Sequence, residues 1–344
     1  MRKYFFIPYL AFALLSISFA QDIIKNPDTP LNEKSGRTLE VEKILKITET
    51  DREYYFKQPD QLQVDERDNV YVADELQFLK FSPEGKFLKN MFKKGQGPGE
   101  IQRFFSFGLV NDKICVHDSM SRKIILMDKA GELLEEIQLR EKGSLRFIGA
   151  ADGKVIFSRF SLPELKDMTG KLVDEKNQLI AIHLGDKTEK EIGIITTKWW
   201  FTQRSGVATD PFTVVVSNDG QSLYINNTRE YLINIMDVET GNIERTIKRD
   251  YRRVKAQRKY YPEREYEFDI ANFFDRGETL WIQTSTVDEK KGTLFDIFDK
   301  RGNYIDNFYL DVNGSLMAVY GNSLFVRQSD EEGLISIVKF KIKE

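Results

Sequence analysis

The stretch that decides the fold is residues 62–92, LQVDERDNVYVADELQFLKFSPEGKFLKNMF. Apolar and polar residues alternate along short runs, and turn residues separate these runs at Asp68-Asn69 and at Pro83 to Gly85. A period of two residues is typical of β-strands, because successive side chains point to opposite faces of a sheet. Asn, Pro and Gly favour tight turns. The stretch therefore predicts a small sheet of four antiparallel strands.

The same pattern recurs along the chain. A second copy covers residues 107–139, and more divergent copies follow up to a sixth, residues 315–342, which ends after three strands. The alternating segment Thr38 to Thr50 belongs to no other complete unit, so we predict that it supplies the missing strand. The sequence thus predicts an all-β fold, a six-bladed β-propeller of four-stranded antiparallel blades. Its ring is closed by the N-terminal strand joining the last blade, and closure hides the sheet edges.

The first unit resembles a known repeat. The run NVYVAD at residues 69–74, Gly85 and the run GPGE at residues 97–100 are similar to the NHL-type repeat of secreted bacterial six-bladed propellers. In that family the Tyr-Val-Ala-Asp strand packs centrally, and a Gly-Pro-Gly-Glu loop often leads to the next blade. Later units depart from the motif and carry Asn227 or Thr284 near the end of the equivalent strand. The resemblance implies six blades, whereas coverage of the whole chain rests on the strand pattern.

The N terminus has the features of a signal peptide. Arg2 and Lys3 precede an apolar run over residues 4–19 that ends in small residues. This order is typical of segments cleaved on export, and an uncleaved anchor is the alternative. The predicted organisation is a signal peptide at residues 1–20, a flexible N-terminal segment at residues 21–37 and the propeller at residues 38–344.

Composition restricts location and partners. Cys115 is the only cysteine and lies far from the cleavage region, so no lipid-bearing cysteine follows the signal. No later segment approaches the roughly 20 apolar residues of a membrane helix. We expect an exported protein, periplasmic or extracellular, that is not a lipoprotein and does not span a membrane. The 51 basic and 54 acidic residues exclude a globally basic chain, and we expect no nucleic-acid partner.

The connections between strands are of two kinds. In an up-and-down blade, the links from the second to the third strand and the links to the next blade emerge on one face, which we call the long-loop face. The remaining turns are short and emerge on the opposite, short-turn face. Binding residues concentrate in loops on rigid scaffolds, so we predict binding on the long-loop face. The long insertions there are residues 95–105, 161–177, 198–210 and 250–272.

Two insertions carry distinctive side chains. Residues 197–204, TKWWFTQR, place aromatic rings beside basic groups, which suits sugar rings or the aromatic anchors of a partner. Residues 249–265, RDYRRVKAQRKYYPERE, interleave arginine and tyrosine, which suits carboxylate, sulfate or phosphate. Core-capping rings and a solvated charged loop are the alternatives. The predicted ligand-binding residues are Arg103, Trp199, Trp200, Arg204, Arg252, Arg253, Arg258, Tyr260 and Tyr261.

Catalytic and metal-binding patterns are sparse. His117 and His183 are the only histidines, too few for a His-rich zinc site. Asp74, Asp118 and Asn226 stand at equivalent strand ends, where they could ligate calcium or equally hold neighbouring backbone. We predict a non-catalytic propeller without a cofactor that binds a protein, a glycan or another anionic ligand. The alternative is a calcium-dependent lyase or hydrolase with an axial metal site, as in related propeller families.

Overall fold

A computed structural model describes residues 22–49, 53–103, 105–139, 143–160, 170–202, 206–210, 212–257 and 264–343. Three strands come first: β1 (Asp22–Asn26), β2 (Arg37–Thr38) and β3 (Val41–Thr48). Blade 1 contains β4 (Pro59–Val64), β5 (Val70–Asp74), β6 (Gln77–Phe81) and β7 (Phe87–Asn90). Blade 2 contains β8 (Phe105–Val110), β9 (Lys113–Asp118), β10 (Lys123–Asp128) and β11 (Leu133–Gln138). Blade 3 contains β12 (Ser144–Ala151), β13 (Lys154–Phe160), β14 (Leu172–His183), β15 (Glu189–Phe201) and β16 (Gly206–Ala208).

The second half of the chain continues in the same manner. Blade 4 contains β17 (Thr213–Val216), β18 (Ser222–Asn226), β19 (Leu232–Asp237) and β20 (Ile243–Arg249). Blade 5 contains β21 (Ile270–Asp275), β22 (Thr279–Asp288), β23 (Gly292–Asp299) and β24 (Tyr304–Leu310). Blade 6 contains β25 (Ser315–Tyr320), β26 (Ser323–Ser329) and β27 (Ile335–Ile342). Residues 1–20, the predicted signal peptide, lie outside the described residues.

The six sheets are arranged around a central axis. Within each blade the strands lie side by side in chain order, from the innermost to the outermost. The innermost strands contact one another in a closed ring. Its order is β4, β8, β12, β17, β21 and β25, and β25 contacts β4 again. The predicted six-bladed β-propeller is confirmed.

The ring is closed by the N-terminal strand, as predicted. Strand β3 pairs antiparallel with β27 and becomes the outermost strand of blade 6, with Ile47 opposite Ile337. Both isoleucines are buried in one apolar cluster between blades 6 and 1. Full burial of such a side chain stabilises the fold by about 1.5–3 kcal/mol, so this contact stabilises the closed ring.

The segment before β3 is paired with the propeller, whereas the sequence predicted it to be flexible. Strand β1 pairs in parallel with β20, and β2 pairs in parallel with β24. The Asn26 side chain donates to the Gly302 carbonyl at 2.9 Å and accepts from the Tyr304 amide at 2.8 Å. Residues 22–38, which we call the N-terminal strap, therefore cover the outer edges of blades 4 and 5.

The hydrophobic core is divided among the blade interfaces. Six clusters of buried apolar side chains each lie between two neighbouring blades. Between blades 1 and 2, for example, Tyr71, Phe78 and Phe107 are fully buried together. Packing of this kind makes the blades a rigid scaffold for their connecting loops. Within the described residues, no helix has the length and apolar character needed to cross a bilayer.

Candidate functional site

Asp74, one of the predicted calcium ligands, holds the connection that leads into blade 1. Its side chain is fully buried at the end of β5. Its two carboxylate oxygens accept hydrogen bonds from the Gln58 and Lys57 amides at 2.7 and 2.8 Å. Burial raises the pKa of Asp74, and these two bonds oppose that shift by favouring the ionised form. The contacts match the interpretation in which strand-end aspartates fix the backbone of the loops.

Asp118 and Asn226 also bond to loop backbone, in blades 2 and 4, but Asp118 accepts from the connection before its blade whereas Asn226 donates to the turn after its own strand. Asp118 accepts from the Gln102 amide at 3.0 Å, and the Asn226 amide group donates to the Leu232 carbonyl at 2.7 Å. Both side chains are fully buried. The part of the chain that the structure describes contains no group of three or more His, Cys, Asp or Glu residues arranged to hold a metal ion. These strand ends therefore position loops on the long-loop face.

The glycine-rich loop after β7 is organised by carboxylates. The Gly97 amide donates to the Glu100 carboxylate at 2.8 Å, and the Gly99 amide donates to Glu136 of β11, also at 2.8 Å. Gly99 has a φ of 72°, which a residue with a side chain rarely adopts. The loop uses these amides to turn back toward the axis, and it ends next to the exposed Arg103.

The aromatic run of blade 3 lies in a strand, not in the predicted loop. Strands β14 and β15 form a long hairpin, and Trp199 of β15 is paired with Val173 and with Ala208 of β16. The Trp199 ring stacks on Phe201 with ring centroids 6.2 Å apart, and its Nε1 donates to the Thr197 hydroxyl at 3.2 Å. Trp199 therefore has a structural role in the hairpin, consistent with the alternative of a core-capping ring.

Trp200 belongs to an apolar row on the other side of the same hairpin. It lies directly opposite Leu172 of β14 and Val207 of β16. Residues directly opposite in a sheet point to the same side, so the three side chains form one row across three strands. Leu172 and Val207 are exposed, and Trp200 is half-buried. We call Leu172, Trp200 and Val207 the blade 3 row. Arg204 lies outside the described residues.

Two arginines of the basic insertion between blades 4 and 5 form ion pairs within the protein. Arg249 is buried and its Nη1 lies 2.6 Å from the Asp296 carboxylate. Arg253 Nε lies 2.9 Å from the buried carboxylate of Asp269, so this predicted ligand-binding residue already has an internal partner. A sequence run of positive charge cannot reveal such pairing, because the acidic partners come from strands and loops farther along the chain.

Within the described part of this insertion, the exposed cations are Arg252 and Lys255. They stand on a small hairpin, in which the Ala256 amide donates to the Glu265 carbonyl at 2.9 Å. Arg258, Tyr260 and Tyr261, also predicted to bind ligand, lie outside the described residues.

A depression of about 480 Å³ lies beside this hairpin, near the start of the inner strands β17 and β21. Phe212 and Phe268 are among its lining residues. The Arg146 guanidinium, from the inner strand β12, lies 5.2 Å from the centroid of the Phe212 ring. Arg146 was not among the predicted ligand-binding residues, although its position as a basic residue in an inner strand was a signal for it.

Exposed apolar side chains concentrate on the long-loop face. Among the described residues, seven large exposed apolar side chains lie on its connections or adjoining strand ends, whereas three, Leu133, Ile243 and Tyr320, lie at the short-turn ends of the strands. The seven are Tyr55, Leu76, Met120, Leu172, Val207, Val287 and Leu334. Scattered single apolar residues are normal on protein surfaces, whereas neighbouring ones that form a patch, as in the blade 3 row, are typical of an interaction site.

Comparison with known proteins identifies the fold family. The model of family DUF5128, described as a 6-bladed β-propeller, matches residues 32–266. A solved structure from Bacteroides fragilis, named as an exported protein, is similar with a TM-score of 0.55 and 13% identity over 94% of this chain and 100% of that chain. A DUF4221 family member from Bacteroides vulgatus is similar with a TM-score of 0.57 and 12% identity over 90% of this chain and 99% of that chain. No curated protein matches the sequence. At these identities the two structures show a shared fold alone, and the NHL-type resemblance stays a prediction.

Proposed function

The chain belongs to the DUF5128 family of six-bladed β-propellers, and we propose that it is an exported, non-catalytic binding protein whose long-loop face takes a partner protein. The observation that carries this proposal is the concentration of exposed apolar side chains on that face. Water-exposed apolar surface is costly, and covering it on association is the main source of favourable free energy in protein binding.

The blade 3 row is the strongest part of this surface. A tryptophan flanked by two aliphatic side chains on a regular three-stranded tip presents a pre-organised apolar anchor point. Tryptophan is enriched among the residues that dominate binding energy, and rigid anchors lose little conformational entropy on binding. The same face carries the exposed cations Arg103 and Arg252. These charges favour a partner with an acidic rim.

Export is supported by two observations. Residues 1–20 have the charge and apolar pattern of a signal peptide. The similar Bacteroides fragilis structure is named as an exported protein. We therefore propose that the partner is encountered outside the cytoplasm.

The test compares two leucines that are both 52% exposed, Leu172 of the blade 3 row and Leu134 of the outer strand β11. Protein carrying Leu172→Glu or Leu134→Glu is used beside the wild type to recover partners from an envelope fraction. A recovered partner is then purified, and its Kd is measured for all three proteins. We expect at least a tenfold higher Kd for Leu172→Glu, which corresponds to about 1.4 kcal/mol, and an unchanged Kd for Leu134→Glu. Equal losses, or no loss, would remove the blade 3 row from the interface.

A further inference from the structure

A second concave site lies on the other side of the molecule. A cavity of about 670 Å³ occupies the short-turn end of the axis. Its walls are the final residues of all six inner strands and the turns that follow them, including Asn111, Asp152, Asn218 and Gly321. Small-molecule sites have volumes of roughly 300–1,000 Å³ and favour places where several elements converge. The cavity has the size and location of a ligand site, and no residue of the long-loop face lines it.

Arg276 is the one basic side chain among the residues that line this cavity. Its guanidinium lies 4.4 Å from the centroid of the Trp281 ring, and its Nη2 donates to the Gly321 carbonyl. The side chain is half-buried, and burial lowers the pKa of Arg276 without the opposing effect of a nearby carboxylate. Contacts with a ring and a carbonyl thus fix the guanidinium while leaving its positive charge without an ionic partner among the described residues.

Three other partly buried arginines differ from Arg276 in this respect. Arg249, Arg253 and Arg159 each form an ion pair with a carboxylate within 3 Å. An arginine that is held in place but not neutralised presents planar donors that match a carboxylate. Arg276 therefore favours an anionic group inside the cavity.

The two carboxylates at the cavity have other partners. The Asp275 oxygens accept from the Asn218 and Gly277 amides at 2.6 and 2.9 Å. Asp152 lies 3.5 Å from Lys154. Neither neutralises Arg276, and each carboxylate retains lone pairs that can accept from a hydroxyl group. The remaining walls include apolar side chains such as Val215 and Met317, which suit the carbon skeleton of a ligand.

We propose that the axial cavity binds a small organic acid that carries one carboxylate and several hydroxyl groups. The carboxylate lies against Arg276, and the hydroxyl groups donate to Asp152, Asp275 and the side-chain carbonyl of Asn111. Because the cavity is on the short-turn face, this site is independent of the partner-binding surface proposed above.

The probes are glucuronate, glucose and hexanoate, titrated into the full-length protein by calorimetry. Glucuronate has both chemical features, glucose lacks the carboxylate, and hexanoate lacks the hydroxyl groups. We expect glucuronate to bind at least tenfold more tightly than either of the others. Arg276→Gln is expected to weaken glucuronate binding at least tenfold, whereas Arg301→Gln, an exposed arginine on the same face, leaves it unchanged.

The proposal is overturned if wild-type protein does not bind glucuronate in the millimolar range, or if Arg276→Gln binds it as well as wild type does. Thermal unfolding establishes that each variant is folded. If Arg276→Gln is unfolded, Arg276→Lys keeps the charge but loses the planar fork, and unchanged binding by that variant also contradicts the proposed role. Leu172→Glu is expected to retain glucuronate binding. Loss of glucuronate binding in the axial cavity is therefore distinguishable from loss of partner binding at the blade 3 row.

Discussion

Replacement of Arg249 by methionine is expected to destabilise the propeller by about 3–5 kcal/mol, the usual cost of breaking a buried ion pair. The partner, Asp296, is completely buried and also accepts from the Tyr231 and Tyr304 hydroxyl groups at 2.8 and 2.7 Å. Arg249 lies 4.4 Å from the centroid of the Tyr304 ring and donates to the Asp28 carbonyl of the N-terminal strap. Removing the cation leaves an uncompensated carboxylate in a fully buried site, and that accounts for most of the expected loss.

The double variant Arg249→Met with Asp296→Leu separates the cost of the orphaned charge from the value of the pair. Well-packed apolar replacements of buried ion pairs are often neutral or stabilising, so the double variant should be less destabilised than Arg249→Met alone. The measurement is the free energy of unfolding in urea, followed by circular dichroism. Arg37→Met, which breaks an exposed pair with Asp306 at 2.8 Å, is the control and should cost 0–1 kcal/mol. A loss below 1 kcal/mol for Arg249→Met, or strictly additive losses in the double variant, would refute this reasoning.

Three further predictions concern the scaffold. His117 is buried against the Phe157 ring, and burial lowers the pKa of its imidazole to about 4. Because the unfolded chain takes up a proton on this imidazole near pH 6.5, the stability of the protein should fall as the pH drops from 6.5 to 4. The urea midpoint of His117→Phe should fall less over this pH range than that of the wild type. Asp74→Ala removes the acceptor of the part-buried Lys57 and Gln58 amides and should cost about 1–3 kcal/mol, measured by urea unfolding, whereas a cost near zero would mean that water replaces the carboxylate. Asn26→Ala should speed hydrogen exchange of the strap amides while leaving β3 protected, and exchange spread evenly over both would show that they unfold together.

The propeller and its closure were predictable because the two-residue period and the turn residues are local signals. The segment Thr38 to Thr50 alternates clearly enough to be matched to an incomplete sixth unit, and β3 lies within it. The strap was missed because β1 is short and becomes regular only through pairing with β20. Unlike β3, it completes no unit of the repeat, so nothing in the sequence pattern indicated its pairing with a strand more than 200 residues away.

The candidate site was less predictable for a related reason. Trp199 and Trp200 were recognised as notable residues, but the side chains that lie opposite each of them depend on the register of β14, β15 and β16. The pairing of Arg253 with Asp269 and the isolation of Arg276 are also tertiary properties. Residue type indicates what a side chain can do, whereas its partners decide what remains available for a ligand.

The pairing of β3 with β27 also sets the order of events during synthesis. Ile47 and its partner Ile337 are 290 positions apart, so the first strand of the ring leaves the ribosome long before its neighbour exists. At 5–20 residues per second, that interval is roughly 15 to 60 s. During this interval the growing chain lacks the β3–β27 pairing and has an unpaired strand near its N terminus. The ring of this protein cannot close until its last residues are synthesised. Until then the chain can still pass through a membrane pore in an unfolded form, but its unpaired strand must be kept from associating with other chains.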